Sequence, residues 1–318
     1  MKNNSLAVGV DIGGTKVASI LVNQAGEILA SDYRMTAVDM GKDETIRRVA
    51  ESINSVVGDH RDVCGIGIDI PGSVDPEKGM VENAVNLGWD RVELRKELGE
   101  KLTVNSPIYL QRDTYAQTLG EYYFGVAQNV PNYVYLAMGS GLGAGAMVNG
   151  KLLLGNNRSA LEIGHLGLTG LTTPCACGKI GCAETLLSGP GMVRSYLSQD
   201  WHPEFALETP GRIGLTAQDI LTYAQAGEMR ASLLMEHVSR YLGELISDIL
   251  MVLNPSMVVI AGGVGLAAFD VLVPGVEREI AKRTWKQNYV DLVIKKSALN
   301  SSALGAATLV WYSMSDTK

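Results

Sequence analysis

Short apolar runs separated by glycine-rich turns predict most of the β-strands of this chain. Residues 6–10 and 17–22 form one pair of strands around a glycine turn, and residues 133–138 and 146–148 form a second pair. Further strands are predicted at residues 65–70, 107–110 and 257–260. Because the strand–turn–strand unit occurs once in each half, the sequence contains an internal repeat. Such a repeat predicts two similar lobes that face one another.

Helices are predicted where apolar residues recur at intervals of three or four. In residues 43–57, the side chains of Ile46, Val49, Ile53 and Val56 would share one face. The same pattern predicts further helices at residues 114–124, 216–226, 230–253 and 302–313. The mixture of strands and helices is that of an α/β protein.

Composition and charge narrow the class of protein. The 318 residues suffice for two domains with a sizeable core, and the chain is 46% hydrophobic and 19% charged. The formal net charge of −7 and a pI near 5.2 argue against a nucleic-acid-binding surface as the main function. The N-terminal segment lacks a hydrophobic signal core, and no apolar run reaches the roughly 18 residues that span a bilayer. We therefore expect a cytoplasmic enzyme without nucleic-acid or membrane partners.

A cluster of cysteines is the strongest candidate for a metal site. Three of the four cysteines, Cys175, Cys177 and Cys182, lie close together, and His165 lies a short distance upstream. One histidine with three cysteines is a known ligand set for structural Zn²⁺, and glycines between the cysteines allow tight turns. A disulfide or unrelated buried thiols are the alternatives. A Cys-x-Cys disulfide would be strained, so the spacing favours zinc.

Two carboxylates accompany this cluster without the spacing of metal ligands. Glu162 precedes His165, and Glu184 follows Cys182 by two residues. Ionised carboxylates only accept hydrogen bonds, so a rigid pair of them suits a ligand rich in hydroxyl groups. The alternative is that both glutamates are simply solvated at the surface.

Three glycine-containing segments follow apolar strands and carry candidate phosphate ligands. Backbone N–H groups in such turns can donate hydrogen bonds to an anion. The spacing is not that of a P-loop, and the first turn considered alone favours a β-hairpin turn. The candidate residues are Asp11, Gly13, Gly14, Thr15 and Lys16, then Gly139, Ser140, Gly141 and Gly143, and finally Gly262 and Gly263.

The order Glu-Ile-Gly-His followed by Cys-x-Cys-Gly-x-x-Gly-Cys-x-Glu resembles the signature of the ROK family of repressors, open reading frames and kinases. The kinases of that family phosphorylate sugars. The resemblance implies a two-lobed, actin-like (ribonuclease H-like) α/β fold with an active-site cleft between the lobes. It assigns residues 1–115 and 300–318 to the N-terminal lobe, and residues 116–299 to a C-terminal lobe with the zinc-binding loop.

The resemblance also gives each candidate a role. The glycine turns would hold ATP, with the third beside the adenosine, and Asp11 would bind Mg²⁺. His165 would bind a structural Zn²⁺ through one ring nitrogen and donate to a sugar hydroxyl through the other. The residues placed near the sugar are Gly72, Ser73, Asn86, Arg112, Asp113, Glu162, His165 and Glu184.

Asp113 is the candidate catalytic base. It follows the strand at residues 107–110 and precedes a helix, which is where catalytic side chains gather in open α/β sheets. Considered alone, its position favours the N-cap of that helix. The resemblance implies instead that it accepts the proton of the sugar hydroxyl. The proline- and glycine-containing segments at residues 71–76 and 83–89 are predicted as irregular loops, either over the sugar or simply at the surface.

Two positions depart from the family pattern. Arg112 occupies a position where asparagine is usual, and Leu161 stands where a smaller residue is common. The family's allose kinases are similar to this chain in having arginine before the catalytic aspartate. We therefore expect a hexose other than glucose, with allose first. The alternative is that Arg112 turns away to pair with a carboxylate and leaves an ordinary glucose site.

The predicted function is transfer of the γ-phosphate of ATP to a hydroxyl, the 6-hydroxyl, of glucose or an epimer such as allose. The rival is a sugar-sensing regulator on the same fold. Family repressors carry a helix-turn-helix domain ahead of the kinase-like part, and here the first strand starts within ten residues of Met1, so we expect none. A phosphotransferase that uses polyphosphate or an acyl phosphate is a further rival. The resemblance implies a homodimer or homotetramer.

Overall fold

The computed structural model describes residues 5–198 and 214–315, and its contacts divide the chain into two units. The first unit comprises Met1–Asn129 with Ala298–Lys318, and the second comprises Val130–Ser297. The sequence-predicted division after residue 115 differs from this boundary, because the helix that begins at Asp113 packs within the first unit.

The described residues form strands of two to eight residues. The strands are β1 (Leu6–Ile12), β2 (Lys16–Asn23), β3 (Ile28–Met35), β4 (Val63–Ile70), β5 (Ser73–Asp75), β6 (Met80–Ala84), β7 (Trp89–Val92), β8 (Ile108–Arg112), β9 (Tyr133–Met138), β10 (Leu142–Val148), β11 (Lys151–Leu152), β12 (Met257–Ala261) and β13 (Val293–Lys296).

The helices are α1 (Lys42–Val57), α2 (Leu94–Gly99), α3 (Asp113–Tyr123), α4 (Glu184–Leu187), α5 (Gly189–Leu197), α6 (Ala217–Gln225), α7 (Met229–Leu253), α8 (Gly262–Arg283), α9 (Lys286–Tyr289) and α10 (Ser302–Ser315). Short 3₁₀ helices occur at Val38–Met40, Val85–Leu87 and Ile163–His165. Within residues 5–198 and 214–315, no helix combines the length and apolar character needed to cross a membrane.

The two units contain sheets of the same topology, which confirms the predicted internal repeat. The first sheet has the order β3-β2-β1-β4-β8, and the second has the order β11-β10-β9-β12-β13. In each sheet a hairpin of antiparallel strands is followed by two parallel strands. A parallel pair needs a crossover connection, and this is why helices cover the faces of both sheets.

Helix α1 covers one face of the first sheet as the apolar pattern predicts. Ile46, Val49, Ile53 and Val56 are all buried, and they pack in the same core as the apolar residues of β1 and β4. In the second unit, α7 packs along α8, and Asn254 ends α7 in a left-handed conformation directly before Pro255. The predicted helices at residues 43–57 and 230–253 are therefore confirmed.

Helix α10 covers the opposite face of the first sheet, and its backbone lies very close to the backbone of β1 and β4. A Cβ atom on Gly9 of β1 would lie 1.9 Å from the carbonyl oxygen of Ala303, and one on Gly67 of β4 would lie 1.9 Å from that of Ala306. The helix backbone therefore rests directly on the strands, because neither glycine has a side chain to hold it away.

Four local predictions were wrong. Ser73–Asp75, predicted as loop, is β5, and residues 83–89 include the end of β6, a 3₁₀ helix and the start of β7. These strands form a small antiparallel sheet, β5-β6-β7. Strand β10 starts at Leu142 rather than at residue 146, and Gly262 and Gly263 open α8 rather than forming a separate turn. Glycine disfavours strands locally, and pairing with β9 overrides that preference.

The contact of β4 with α10 gives a test of the fold. Gly67→Ala would push the new methyl group into the α10 backbone, which cannot yield as a flexible side chain can. We expect urea denaturation to show a free energy of unfolding lower by about 1–3 kcal/mol. Gly99→Ala is the matched control, because the last position of α2 has open space around it. Equal stability of the two variants would contradict this packing.

Candidate active site

The carboxyl ends of three parallel strands bring acidic side chains together in the first unit. Asp11 near the end of β1 is the direct neighbour of Asp69 on β4. Asp113 begins α3 immediately after β8, the next strand of the sheet. Because neighbours in register on adjacent strands point to the same face, Asp11 and Asp69 lie side by side.

A hydrogen-bond network from two helices holds this pair of carboxylates. Gln117 of α3 donates through Nε2 to Asp69 Oδ2 at 2.5 Å and to the carbonyl oxygen of Ser302 at 2.9 Å. The hydroxyl of Ser302, the first residue of α10, donates to Asp11 Oδ2. The network therefore joins β1, β4, α3 and α10 at the carboxyl end of the parallel strands.

Asp69 is the most unusual member of this group. Its side chain is fully buried, and no N–H or hydroxyl donor among the described residues reaches Oδ1, although the carboxyl of Asp11 lies within hydrogen-bonding reach of Asp69. Burial, followed by the negative charges of Asp11 and Asp113, raises the pKa of Asp69 well above its ordinary value. Sequence reasoning missed Asp69, Gln117 and Ser302. The available signal was a lone carboxylate in the apolar strand Gly-Ile-Gly-Ile-Asp-Ile, since buried aspartates are rare without a partner.

Asp113 lies exposed at this edge of the sheet. Arg112, not Asp113, is the N-cap residue of α3, and Asp113 Oδ1 accepts a hydrogen bond from the backbone N–H of Thr114 at 2.7 Å. The alternative prediction that Asp113 is the N-cap is therefore wrong. A carboxylate in the first turn is nevertheless favourable, because the helix dipole places positive charge there.

The side chain of Arg112 lies along the first turn of α3. It is half-buried, and its guanidinium carbon lies 5.4 Å from the centroid of the buried Tyr115 ring. Such an arrangement is a cation–π contact. The backbone N–H of Arg112 donates to the side chain of Gln111.

The first glycine turn is a hairpin turn and also borders a predicted sugar loop. Gly13 donates to the carbonyl of Lys16 at 2.9 Å, which closes the turn between β1 and β2. A Cβ atom on Gly14 would lie 3.0 Å from the carbonyl oxygen of Asn86, so these two candidates are neighbours. Thr15, Lys16, Ser73 and Asn86 are exposed.

Gly72 precedes the small sheet at a position that requires glycine. Its φ is +102°, and a Cβ atom would lie 2.9 Å from the Cα atom of Ala84 in β6. The tight contact fixes the start of β5 against β6. The loop that carries Ser73 is therefore a rigid part of the β5-β6-β7 sheet.

The second glycine turn is tied to the cysteine-rich segment through Glu184. Gly139 donates to the carbonyl of Gly141 at 2.9 Å, and Leu142 N–H donates to Glu184 Oε2 at 2.8 Å. A Cβ atom on Gly141 would lie 2.7 Å from that oxygen, so glycine is needed for this contact. Gly143 lies within β10, where it pairs with Ala137. One oxygen of Glu184 thus supports the turn.

A cavity of about 760 Å³ in the second unit borders two of the predicted nucleotide loops. Gly139 and Ser140 line it from one side, and Gly263 at the start of α8 lines it from another. Gly262, with φ +78°, packs against the backbone of Met138 and brings the two loops together. Most of the remaining lining is apolar, including Met192, Leu221, Met235, Val264 and Ala268.

Arg194 of α5 is a second feature that sequence reasoning missed. It lines the large cavity and also a smaller one of about 130 Å³, which Ser140, Cys175 and Glu184 border. A cationic side chain beside a glycine turn suits a phosphate group. An isolated arginine in a helix gives no sequence signal of such a location.

The predicted metal ligands converge in the second unit. The ligand atoms of His165, Cys175, Cys177 and Cys182 all lie within 4.8 Å of one another. Cys177 Sγ lies 3.5 Å from Cys182 Sγ, and Cys175 Sγ lies 3.7 Å from His165 Nδ1. These separations suit a tetrahedral ion with Zn–S distances of about 2.3 Å, and they exclude a disulfide, which needs about 2.05 Å.

The backbone around the cysteines shows why this cluster forms. Gly178 and Gly181 both have positive φ values, +88° and +78°, and a Cβ atom on Gly181 would lie 2.4 Å from the carbonyl oxygen of Leu171. Burial, then the neighbouring thiols, raises the pKa of Cys182 to about 12. A metal must therefore displace a proton from this thiol when it binds.

The segment Glu162–His165 is docked against the second sheet. Gly164 packs so closely on β10 that a Cβ atom would lie 2.2 Å from the carbonyl oxygen of Leu142. His165 is half-buried with Nδ1 toward the cysteines, whereas Glu162 is exposed. Leu161 has φ +63°, a left-handed conformation in which the Cβ atom is crowded, so glycine would relieve strain there.

The sequence of this chain is similar to those of known sugar kinases and repressors. A sequence model described as the ROK family matches residues 7–312. The chain is 32% identical to a glucokinase of Halalkalibacterium halodurans over 84% of this chain and 83% of the relative. It is 27% identical to a xylose repressor of Caldicellulosiruptor bescii over 95% of this chain and 77% of the repressor.

Among solved structures, the chain resembles a ROK family glucokinase from Streptomyces griseus in complex with glucose and AMPPNP. The TM-score is 0.78 at 26% identity, and the match covers 96% of this chain and 99% of that one. This similarity confirms the predicted two-lobed, actin-like α/β fold.

The ligand cluster predicts a bound structural metal. Metal analysis of freshly purified, reduced protein should give about one zinc per chain. Cys177→Ser should lose the metal, because a serine hydroxyl is a poor ligand for zinc. Cys64→Ser should retain it, since the Cys64 thiol donates to the carbonyl of Leu6 in the first unit. Metal-free wild-type protein, or equal zinc in both variants, would contradict the assignment.

Proposed function

The chain belongs to the ROK family, and from this premise we propose that it is an ATP-dependent sugar kinase that phosphorylates the 6-hydroxyl of a hexose. One observation carries the proposal. An exposed carboxylate, Asp113, stands at the edge of the sheet beside the Asp11–Asp69 pair. Phosphoryl transfer needs a proton acceptor and a site for a cation, whereas sugar binding alone needs neither.

Asp113 would accept the proton of the sugar hydroxyl as the hydroxyl attacks phosphorus. A carboxylate is a weak base, but the transition state is loose and the proton leaves late, so a weak base suffices. Exposure keeps the group accessible to a substrate, and Oδ1 is already oriented by the N–H of Thr114. Positioning and neutralisation of charge would supply most of the acceleration.

The cavity of the second unit suits the nucleotide. Its apolar lining fits a flat purine ring, and the N-terminus of α8 presents positive partial charge to phosphate groups. Ser140 and the exposed Thr15 could donate to phosphate oxygens, and Arg194 and Lys16 could add charge. Asp11 would bind Mg²⁺, which neutralises phosphate charge when bound.

The zinc cluster would orient the sugar site rather than take part in the reaction. Its ligand set of one histidine and three cysteines is closed, as in structural sites. With Nδ1 toward the metal, His165 keeps Nε2 for a sugar hydroxyl. Gly72, Ser73, Asn86, Glu162 and Glu184 stay predicted sugar ligands. A cytoplasmic location and a homodimer or homotetramer also stay predictions.

A sugar-sensing regulator is the second candidate, and the similarity to a xylose repressor supports it. Both candidates bind a sugar, but only a kinase transfers phosphate. An assay with ATP and Mg²⁺ over a panel of hexoses and N-acetylhexosamines separates them. Sugar binding without phosphorylation of any member of the panel would favour the regulator.

The base assignment predicts a specific loss of turnover. Asp113→Asn keeps size and polarity but removes the proton acceptor, so kcat should fall by about 10² or more while sugar binding changes far less. Asp59→Asn is the matched control, because this exposed residue lies before the amino end of β4, away from Asp113 at the carboxyl end of the strands. Near wild-type turnover by Asp113→Asn would show that another group accepts the proton.

Arg112 predicts the preferred sugar. Arginine only donates hydrogen bonds, from a rigid plane, whereas asparagine both donates and accepts. The two residues therefore favour sugar hydroxyls in different positions and orientations. We expect a hexose other than glucose, with allose first, and a shift of kcat/KM toward glucose in Arg112→Asn. One such contact amounts to about 1–3 kcal/mol, which corresponds to a shift of about tenfold or more.

Arg112→Lys separates geometry from charge in this test. Lysine keeps the positive charge but lacks the planar donors, so it should lose the preference for allose without gaining that for glucose. A wild-type enzyme that already favours glucose, with no change in Arg112→Asn, would exclude a role of Arg112 in sugar choice. Stacking on Tyr115 would then be its function.

A further inference from the structure

The second carboxyl oxygen of Asp69, Oδ1, lacks a donor among the described residues. The carboxyl group is fully buried in β4, and in the part of the chain that the structure describes Oδ2 accepts from Gln117 whereas no N–H or hydroxyl reaches Oδ1. The group within hydrogen-bonding reach of Asp69 on the neighbouring strand is a second acid, Asp11. A buried acceptor without a partner is destabilising, and a buried carboxylate without one is more so. Such a group persists where a ligand or a specific neighbour satisfies it.

The strongest charges that act on Asp69 are both negative. Asp11 stands beside it on β1, and Asp113 lies close enough to act on it electrostatically. On the other side, the strand neighbour is Gln111, whose side chain accepts from the N–H of Arg112. The oxygen therefore faces a region of negative charge.

We propose that Asp69 and Asp11 together bind the divalent cation that accompanies the nucleotide, with Asp69 contributing Oδ1. Mg²⁺ is usually held by one or two carboxylates, and waters and phosphate oxygens complete its octahedron. Adjacent strands lie about 4.8 Å apart, so side chains in register can reach one ion with ligand distances of about 2.1 Å. Asp11 is only half-buried, which leaves room for water and phosphate.

The surrounding hydrogen bonds fit this arrangement. Gln117 occupies Oδ2 of Asp69, and Ser302 occupies Oδ2 of Asp11, so each carboxylate is oriented by a donor on one oxygen. Gln117 also donates to the carbonyl of Ser302, which couples the two donors. Partners of this kind fix the direction of metal ligands and are characteristic of the layer around a metal site.

The inference deepens the proposed phosphoryl transfer, in which Asp11 alone was the predicted Mg²⁺ ligand. Two carboxylates should bind a cation before any nucleotide arrives. The test therefore uses Mn²⁺ alone, followed by the electron paramagnetic resonance signal of the free ion, with nucleotide-free, zinc-loaded protein. Mn²⁺ prefers oxygen ligands, so the thiolate cluster does not compete for it.

Asp69→Asn is the informative variant because it keeps the shape of the side chain. Its oxygen can still accept from Gln117, and its amide can donate to Asp11, so the fold should be retained. We expect Mn²⁺ to bind at least about tenfold more weakly than to wild type, as for loss of a metal-site group. Mg²⁺ should displace Mn²⁺ from the wild-type protein, and Asp59→Asn should bind Mn²⁺ as wild type does.

A double-mutant cycle shows whether the two carboxylates share one ion. If they do, the losses of Mn²⁺ affinity in Asp11→Asn and Asp69→Asn should not add in the double variant. Unchanged Mn²⁺ binding by Asp69→Asn, with equal or higher thermal stability, would overturn the proposal and leave Asp69 a structural hydrogen-bonding group. Asp69→Ser, which is smaller and can also accept from Gln117, provides the same measurement if the asparagine variant does not fold.

The Mn²⁺-binding measurement does not depend on whether the protein is a kinase. Asp69-dependent Mn²⁺ binding in a protein that phosphorylates no sugar would refute only the proposed function. Kinase activity without Asp69-dependent Mn²⁺ binding would refute only the two-carboxylate site.

Discussion

The close packing of α10 on the first sheet is the constraint on which the cluster of Asp11, Asp69 and Asp113 depends. Gly9 and Gly67 let the helix backbone rest on β1 and β4, and the first residue of α10, Ser302, therefore reaches Asp11. Helix α3 approaches α10 in the same way, since a Cβ atom on Gly305 would lie 2.8 Å from the carbonyl oxygen of Ala116. The donors to both carboxylates thus come from helices that glycines hold in place.

This packing explains how the protein can bury a carboxylate at Asp69. Electrostatic interactions are stronger away from water, and an ionised group is costly to bury. A buried carboxylate is therefore tolerated only where donors and a counter-charge are available. Gln117 and Ser302 supply the donors, and the proposed divalent cation would supply the positive charge. If the proposal holds, the carboxyl end of these strands is a cation site whose ligands are oriented before the ion binds.

In the second unit, the four predicted zinc ligands lie in a segment with little regular secondary structure. Residues 159–183 contain little helix or strand, yet Gly164 is packed against β10 and Glu184 holds the turn at Leu142. Zinc at the four ligands would fix this segment by coordination instead of by a hydrophobic core. The position of the His165 ring would then follow from the metal and from the β10 contact together.

Local patterns in the sequence determined the helices α1 and α7, the paired strand–turn–strand units and the cysteine spacing that marks the metal cluster, because each depends on residues close together in the chain. Contacts between distant segments were decided only by the tertiary structure. The β5-β6-β7 sheet, the place of Gly143 in a strand, and the meeting of Asp69 with Asp11 and Ser302 all require partners far apart in sequence. No local propensity encodes such pairings, since strand register and helix docking follow from burial of the whole core.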